Sequence, residues 1–220
     1  FCTESQLQNE ITKLIKLTFK VYKELGFENI KVAFSTRPKK KVGSEDIWDK
    51  SEKILESSLK ENVPGYITLP GEGAFYGPKI EFTLTDSLDR EWQCGTVQLD
   101  FSMPSALSAY FIDENGNKTT PVMVHRAILG SMERFIGILL EHYGGKLPFW
   151  LCPEQIIIAN IADKHAEFAK KVQKELLGNN FRCYLDLRNE KIGYKIRQLI
   201  IAKVPYVVII GDKEVSSGNI

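Results

Sequence analysis

The chain has 220 residues, of which 43% are hydrophobic and 26% charged, and its formal net charge is +1. This composition is that of an ordinary globular protein, so it excludes a disordered tail, a collagen and a coiled-coil rod. No apolar run approaches the roughly 18 residues that a membrane-spanning helix needs. The chain begins at Phe1 rather than at a methionine, and we therefore expect a piece of a longer protein.

The charges are unevenly distributed. Residues 149–220 contain 11 lysines and arginines against 8 acidic residues, whereas residues 1–148 contain 18 against 20. The basic excess is compatible with a polyanionic partner, but a solvated surface is the more common origin of so small an imbalance. Four well-separated cysteines without a CxxC pair, in a chain with no visible signal peptide, predict free thiols in the cytoplasm. They are Cys2, Cys94, Cys152 and Cys183.

The N-terminal segment shows a helix, a strand and a second helix. The run Thr3–Gln6 fits a capping box, and apolar residues then recur at helical spacing up to Gly26, which ends the helix. Alternation over 30–34 predicts a strand, and Ser44 is expected to cap a helix that ends before Pro64. The residues predicted to face inward are Leu7, Ile11, Leu14, Ile15, Thr18, Tyr22 and Leu25 in the first helix, and Ile47, Trp48, Ile54, Leu55 and Leu59 in the second.

A basic cluster, Arg37-Pro38-Lys39-Lys40-Lys41, separates that strand from the second helix. Such a cluster can form a loop that binds phosphates. A solvated basic loop is the alternative, and it is what charge runs more often form.

The pattern changes to a period of two between residues 66 and 125, for example at Ile80, Phe82 and Leu84. Successive strands without intervening helices predict an antiparallel sheet, and the Asn-Gly pair at 115–116 predicts a hairpin. A helix is expected from about Ala127 to Tyr143. Its predicted apolar stripe is Ile128, Met132, Phe135, Ile136 and Leu139, beside a face of mostly small residues, Ala127, Gly130, Ser131, Arg134 and Gly137.

Beyond Pro148 strands and helices alternate, which predicts a separate small α/β domain with a largely parallel sheet. The predicted strands are 155–161, 181–186 and 206–210, and the predicted helices are 163–177 and 190–203. The fold class is therefore α+β, with domains at 1–148 and 149–220.

The glycine-rich run Gly71–Lys79 does not fit a dinucleotide fingerprint, because its spacing is G-x-G-x-x-x-G and Pro78 leads into a strand. A tight loop between strands is the simpler interpretation. The alternative is a small-ligand site in which Glu72, Tyr76 and Lys79 supply an acid, an aromatic ring and a cation.

The strand around Trp92–Phe101 places Thr96, Gln98 and Asp100 on one face. That face either meets water or forms the floor of a binding site, and Gly95 is expected to mark a β-bulge that lets Gln93 and Cys94 change face.

A lone His125 between a strand and a helix is more often structural than a metal ligand, and spacing alone does not support zinc. Arg134 could contact a phosphate or stack on a purine, or form a salt bridge.

These stretches together resemble the threonyl-tRNA synthetases, which are class II aminoacyl-tRNA synthetases. The resemblance covers essentially the whole chain and is carried by Gly71–Phe82, Trp92–Phe101, His125–Phe135, Asp186–Gly193, Val204–Tyr206 and Gly211–Glu214. It implies part of an antiparallel class II catalytic sheet with flanking helices, followed by an α/β anticodon-binding domain cut short at its C-terminus. It also implies a cytoplasmic, non-membrane parent protein, homodimeric, that activates threonine with ATP and Mg²⁺ and transfers it to tRNA.

The resemblance assigns roles residue by residue. Arg134 is the expected ATP contact, and Lys79 and Gln98 are expected catalytic residues. Tyr76, Gln93, Cys94 and Ser131 match the threonine–adenylate pocket, and Asn189 and Glu214 match positions near the anticodon. His125 matches one of three zinc ligands, and the zinc would bind the amino and hydroxyl groups of threonine, which valine could not reproduce.

The chain also departs from the family pattern. Class II motif 1, nearly all of motif 2 and two zinc ligands have no counterpart in the sequence, so we expect these 220 residues not to aminoacylate on their own. A non-catalytic RNA-binding paralogue or fragment is the main alternative. A nucleotide-binding α/β enzyme is disfavoured, because the C-terminal segment has no G-x-G-x-x-G.

Overall fold

The structure, a computed structural model, describes residues 1–219. The chain divides into two compact units, Phe1–Leu139 and Leu140–Ile220. No helix among the described residues is long and apolar enough to cross a membrane. All four cysteines are free thiols.

Two long helices form the first layer of the N-terminal unit. Helix α1 spans Leu7–Glu24 after a short 3-10 turn, and the Gln6 side chain accepts a hydrogen bond from the Thr3 backbone, as a capping box requires. Helix α2 spans Glu45–Asn62, and the Ser44 hydroxyl accepts the Ile47 N–H. The predicted inward residues of α1 are all buried. In α2 this holds for Trp48, Leu55 and Leu59, whereas Ile54 is half-buried and Ile47 is exposed on the first turn.

A five-stranded sheet packs against these helices. Its strands are β1 (Ile30–Ser35), β2 (Ile67–Leu69), β3 (Lys79–Thr85), β4 (Glu91–Asp100) and β7 (Met123–Ala127), in the order β2-β1-β3-β4-β7. Three pairings are antiparallel as predicted. The β1–β2 pair is parallel, because α2 connects these two strands as a crossover. Fully buried residues of β3 and β4, including Phe82 and Leu99, form the core, and Phe82 meets Phe19 of α1 edge to face.

A small excursion lies between β4 and β7. It contains the one-turn helix α3 (Met103–Ala106) and a hairpin of β5 (Phe111–Ile112) and β6 (Lys118–Thr119). Gly116 has φ +81° in the hairpin turn, which confirms the turn predicted from Asn-Gly.

The predicted helix from Ala127 to Tyr143 is wrong at its start. Ala127 ends β7, and helix α4 spans Met132–His142, so residues 128–131 form a connecting loop. Gly130 adopts φ +66°, a left-handed conformation that interrupts helical geometry. The apolar stripe shifts accordingly: Phe135, Ile138 and Leu139 are buried, whereas Met132 and Ile136 are about half exposed.

The C-terminal unit has the predicted β-α-β-α-β order with a parallel sheet. Strands β8 (Ile156–Asn160), β9 (Cys183–Asp186) and β10 (Tyr206–Ile210) are arranged β10-β8-β9. Helices α5 (Ala166–Gly178) and α6 (Ile192–Ile201) connect them. A further helix, α7 (Asp212–Ser217), was not predicted, because the run 216–219 has the composition of a turn.

Candidate active site

A row of polar side chains crosses one face of the N-terminal sheet. Lys79 on β3 is the register partner of Gln98 on β4, and Gln98 is the register partner of His125 on β7. Directly opposed residues of an antiparallel sheet point to the same side. The structure therefore brings these three predicted site residues together in one row. His125 is placed inside β7 and not at a strand–helix junction.

Tyr76 extends this row from the loop before β3. Its hydroxyl donates to Gln98 Oε1 at 2.8 Å, and its ring centroid lies 5.6 Å from that of His125. Gln98 Nε2 donates to the Gly77 carbonyl at 3.2 Å. Both ends of the Gln98 amide are thus held, which fixes the orientation of this buried side chain. Glu72, which the sequence grouped with Tyr76 and Lys79, is exposed.

Two buried carboxylates on the same face of the sheet contact residues of the row. Glu81 accepts from Lys79 Nζ at 2.8 Å and from the Ser35 hydroxyl through its second oxygen. Asp100 Oδ2 lies 2.9 Å from His125 Nε2, and Asp100 Oδ1 accepts the backbone N–H groups that begin α3. Sequence reasoning placed Gln98 and Asp100 on a face open to water or substrate, but they are 6% and 1% exposed. Asp100 belonged to the strand face expected to meet water or a substrate, whereas no role was predicted for Glu81, although it alternates in phase with Lys79.

A β-bulge in β4 organises a second group. The register changes between Phe82↔Gly95 and Thr83↔Gln93, so Cys94 is the extra residue, as expected for a bulge at Gly95. Arg134 from α4 donates through Nη2 to the Gln93 carbonyl at 2.8 Å, and its guanidinium lies 5.9 Å from the centroid of the Trp92 ring. Arg134 therefore hydrogen-bonds a backbone carbonyl instead of forming the predicted alternative of a salt bridge. Its other guanidinium N–H groups are left for a ligand.

Ser131 and Cys94 lie beside this arginine in different environments. The Ser131 hydroxyl donates to Glu133 at 2.9 Å and accepts the Arg134 N–H at 3.4 Å, so Ser131 caps the start of α4. Burial raises the pKa of the Cys94 thiol, and the charge of Arg134 offsets this only in part. Cys94 is therefore a protonated packing residue at neutral pH, not an activated nucleophile.

His125 does not complete a metal site with the residues that the structure describes. Among residues 1–219, no group of three or more histidine, cysteine, aspartate or glutamate side chains could hold a metal ion. Asp100 already contacts the Nε2 atom of the imidazole. The described residues thus fall short of the three protein ligands that a catalytic zinc needs, so residues 1–219 do not form a zinc site on their own.

Two of the four cations in the basic loop at 37–41, Arg37 and Lys41, are paired with carboxylates of α2, whereas Lys39 and Lys40 are exposed. Arg37 contacts Glu45 at 2.8 Å, Glu52 at 2.6 Å, and also Asp49, all on α2. Lys41 pairs with Glu45, and these two cations hold the pKa of the Glu45 carboxyl below its usual value. Arg37 is therefore used in tethering its loop to α2, which argues against the phosphate-binding interpretation.

The two predicted anticodon residues lie at one edge of the C-terminal sheet. Asn189 follows β9 in an exposed loop, and Glu214 lies in α7, after β10. The carboxyl ends of parallel strands meet at the same sheet edge, where ligands of such sheets commonly bind. The two residues are separated there by the central strand β8. Glu214 also accepts the Gly211 N–H at 2.8 Å and so caps its own helix.

A mainly antiparallel sheet carrying the polar row, followed by a parallel α/β unit, is the arrangement of a class II tRNA synthetase. The model of the tRNA synthetase class II core domain (G, H, P, S and T) matches residues 1–143. The model of the anticodon binding domain matches residues 155–220. The chain therefore belongs to the class II tRNA synthetase family, and the domain boundary expected near residue 148 stays a prediction.

Within this family the similarity is to threonine–tRNA ligases. Those of Halorhodospira halophila and Prochlorococcus marinus are 54% and 57% identical over all 220 residues. The chain spans about a third of their length, 34% in each case. The RNA binding domain of threonyl-tRNA synthetase from Cryptosporidium parvum superposes with a TM-score of 0.89 at 41% identity, covering 99% of this chain and 54% of that one. A histidyl-tRNA synthetase of S. aureus, at 15% identity and a TM-score of 0.56, covering 96% of this chain and 58% of that one, shares the fold.

Proposed function

We propose that the parent of this chain ligates threonine to its tRNA with ATP and Mg²⁺, through a threonyl-adenylate. The observation that carries this proposal is the row Tyr76–Lys79–Gln98–His125, assembled from three strands and a loop in a chain similar to threonine–tRNA ligases throughout. A cytoplasmic, homodimeric parent belongs to the same proposal.

The residues of the row are suited to binding an amino acid and stabilising charge. The Lys79 ammonium is held by Glu81 and retains further N–H donors, so it can stabilise a carboxylate or phosphate oxygen as negative charge moves during adenylate formation. Tyr76 and Gln98 orient each other, and we infer that they line the threonine–adenylate pocket of the parent, with Gln93, Cys94 and Ser131 beside it. Arg134 offers its guanidinium to ATP. When bound, zinc would add a Lewis acid that selects the threonine hydroxyl, with His125 as one ligand.

The proposal for the C-terminal unit is anticodon binding. Exposed Asn189 and the carboxyl edge of the β8–β10 sheet support it, and Glu214 is placed at that edge by α7. A polar amide can read a base edge through one donor and one acceptor.

Arg134→Lys in the full-length parent tests the adenylate site. Lysine keeps the charge and loses the planar fork, so we expect KM for ATP in threonine-dependent pyrophosphate exchange to rise roughly tenfold. Arg126→Lys is the matched control, because Arg126 is exposed and alternates to the opposite face of β7 from His125. A parent without threonine-dependent exchange, or one that prefers another amino acid, would contradict the proposed function.

We also propose that the 220-residue chain is inactive alone, since the described residues contain no group of three side chains that could hold a metal ion at His125. Clear pyrophosphate exchange by this chain would contradict its proposed inactivity.

The second candidate function is RNA binding without catalysis, and the similarity to the RNA binding domain of the Cryptosporidium parvum enzyme favours it. Aminoacylation by the parent separates the two.

A further inference from the structure

The Tyr22 side chain makes a hydrogen bond that has no part in the function proposed for the site residues. It lies in α1 and is 0% exposed, and its hydroxyl donates to the Ile128 carbonyl with an O–O distance of 2.5 Å. Ile128 lies in the loop 128–131 between β7 and α4. A helix near the N-terminus thus holds the loop that leads to Arg134.

Gly95 provides the space for this contact. A Cβ atom at position 95 would lie 2.6 Å from Tyr22 Oη and 3.0 Å from Phe82 Cβ. Such distances are far below van der Waals contact, so the hydroxyl occupies the volume that any side chain at 95 would need. The bulge at Cys94 sets this glycine opposite Phe82.

The other end of the loop is also closely packed, though less tightly than at Gly95. A Cβ atom on Gly130 would lie 3.2 Å from the Cys94 carbonyl oxygen and 3.3 Å from Arg134 Nη2. The same Nη2 atom donates to the Gln93 carbonyl. The loop and the guanidinium therefore rest on the bulge, while Tyr22 holds the loop at Ile128.

Burial raises the pKa of the Tyr22 phenol above its usual range. The hydroxyl remains protonated at neutral pH and acts as a donor. If it were lost, the partly buried Ile128 carbonyl would be left without this partner, which favours rearrangement of the four-residue loop.

We propose that Tyr22, accommodated by Gly95, is a positioning residue for Arg134: its hydrogen bond to Ile128 holds the guanidinium where ATP binds. This rests on the proposed function of Arg134. Through its hydroxyl, Tyr22 touches no residue of the row Tyr76–Lys79–Gln98–His125, so we expect it to affect ATP binding more strongly than threonine binding. Ser131 lies in the same loop, beside the proposed threonine pocket, so a smaller effect on threonine is expected.

Tyr22→Phe in the full-length parent is the test, with threonine-dependent pyrophosphate exchange measured against both substrates. We expect KM for ATP to rise roughly tenfold and KM for threonine to stay within about twofold. Thr18→Val is the matched control: it removes another buried hydroxyl of α1, whose bond to the Leu14 carbonyl stays within the helix. It should lower Tm and leave both KM values unchanged.

Hydrogen exchange of the segment 128–134 is the second measurement and does not depend on activity. Tyr22→Phe should accelerate amide exchange there, whereas Thr18→Val should not. If Tyr22→Phe does not give folded protein, Gly95→Ala replaces it, because the added Cβ displaces the same hydroxyl. If Gly95→Ala raises KM for ATP less in the Tyr22→Phe background than in the wild type, the two positions are directly coupled.

Two results would overturn the inference: Tyr22→Phe behaving like Thr18→Val, or KM rising equally for ATP and threonine. An active wild-type parent with either result contradicts this inference alone. An inactive wild-type parent contradicts the proposed function, and the hydrogen-exchange comparison still decides whether Tyr22 holds the loop.

Discussion

The carboxylate of Asp86 organises the turn between β3 and β4. Its Oδ1 accepts the N–H groups of Leu88 and Arg90, both at 2.9 Å. Its Oδ2 accepts from Arg90 Nε at 2.7 Å and Trp92 Nε1 at 2.9 Å. Burial alone would raise the pKa of Asp86, but these hydrogen bonds outweigh it and hold the pKa well below its usual range.

Asp86→Asn should therefore destabilise the protein and alter its pH dependence. The amide cannot accept from both Arg90 and Trp92 at its nitrogen, so Tm should fall by several degrees at pH 7. A carboxylate with a lowered folded-state pKa stabilises the protein above the unfolded-state pKa of about 3.9, and this stabilisation is lost as the pH falls further. We expect the difference in Tm between wild type and variant to stay constant from pH 7 down to about pH 5. It should narrow below about pH 4. An unchanging gap at low pH would contradict this.

The same residue scale shows what sequence can and cannot reveal of the site. Lys79, Gln98 and His125 could be selected by residue type and family resemblance. The contact between Asp100 and His125 could not, because it depends on which strands pair and in what register. Glu81 is two residues from Lys79 on the same strand, and alternation alone could have placed it beside that lysine. Tyr22 had the spacing of a core residue, and only the structure shows its hydroxyl reaching a loop 106 positions away.

Two glycines differ in the space available for a side chain: Gly77, in the loop before β3, has none, whereas Gly137, in α4, has room. A Cβ on Gly77 would lie 1.7 Å from the Leu99 carbonyl oxygen, because the loop before β3 packs directly on the β4 backbone. Gly137 is inside α4, and within the described residues nothing lies within 4 Å of its Cβ position. Of the two glycines in the predicted small-residue face, Gly130 in the preceding loop is closely approached and Gly137 is not.

Gly77→Ala and Gly137→Ala should consequently change stability in opposite directions. The first forces the loop away from β4 and should cost about 1–3 kcal/mol, as overpacking does. The second replaces a helical glycine by the best helix former and should add up to about 1 kcal/mol. Denaturant unfolding of the two variants against wild type measures both. A neutral Gly77→Ala would mean that the loop is not held against β4.

Periodicity predicted most elements because apolar spacing directly reports which face is buried. It failed at the start of α4, where apolar residues continue at helical spacing through 128–131 while Gly130 is left-handed. The parallel β1–β2 pair was also missed. β2 has only three residues, too few to show alternation.

For the whole molecule, the change from consecutive strands to alternating strands and helices was enough to predict two units. The C-terminal unit has its own core between its sheet and α5, including Ile158, Val172 and Ile210. It also contains a buried lysine, Lys195, whose ammonium contacts the Asn160 and Asp186 carbonyls and the Asn160 side chain. Such a separate core predicts that a surface substitution in the C-terminal unit leaves the N-terminal unit folded.

Asn189→Ala in the full-length parent tests that prediction. If Asn189 contacts the anticodon, loss of its amide should lower kcat/KM for tRNA in aminoacylation roughly tenfold. Pyrophosphate exchange with threonine and ATP should remain unchanged, because it reports activation alone. The matched control is Asn179→Ala: Asn179 is also exposed, but it precedes β9 and so lies toward the opposite edge of the sheet from Asn189. An equal fall of kcat/KM for tRNA in both variants would contradict a separate anticodon-binding edge at the carboxyl ends of β8–β10. So would a loss of pyrophosphate exchange in Asn189→Ala.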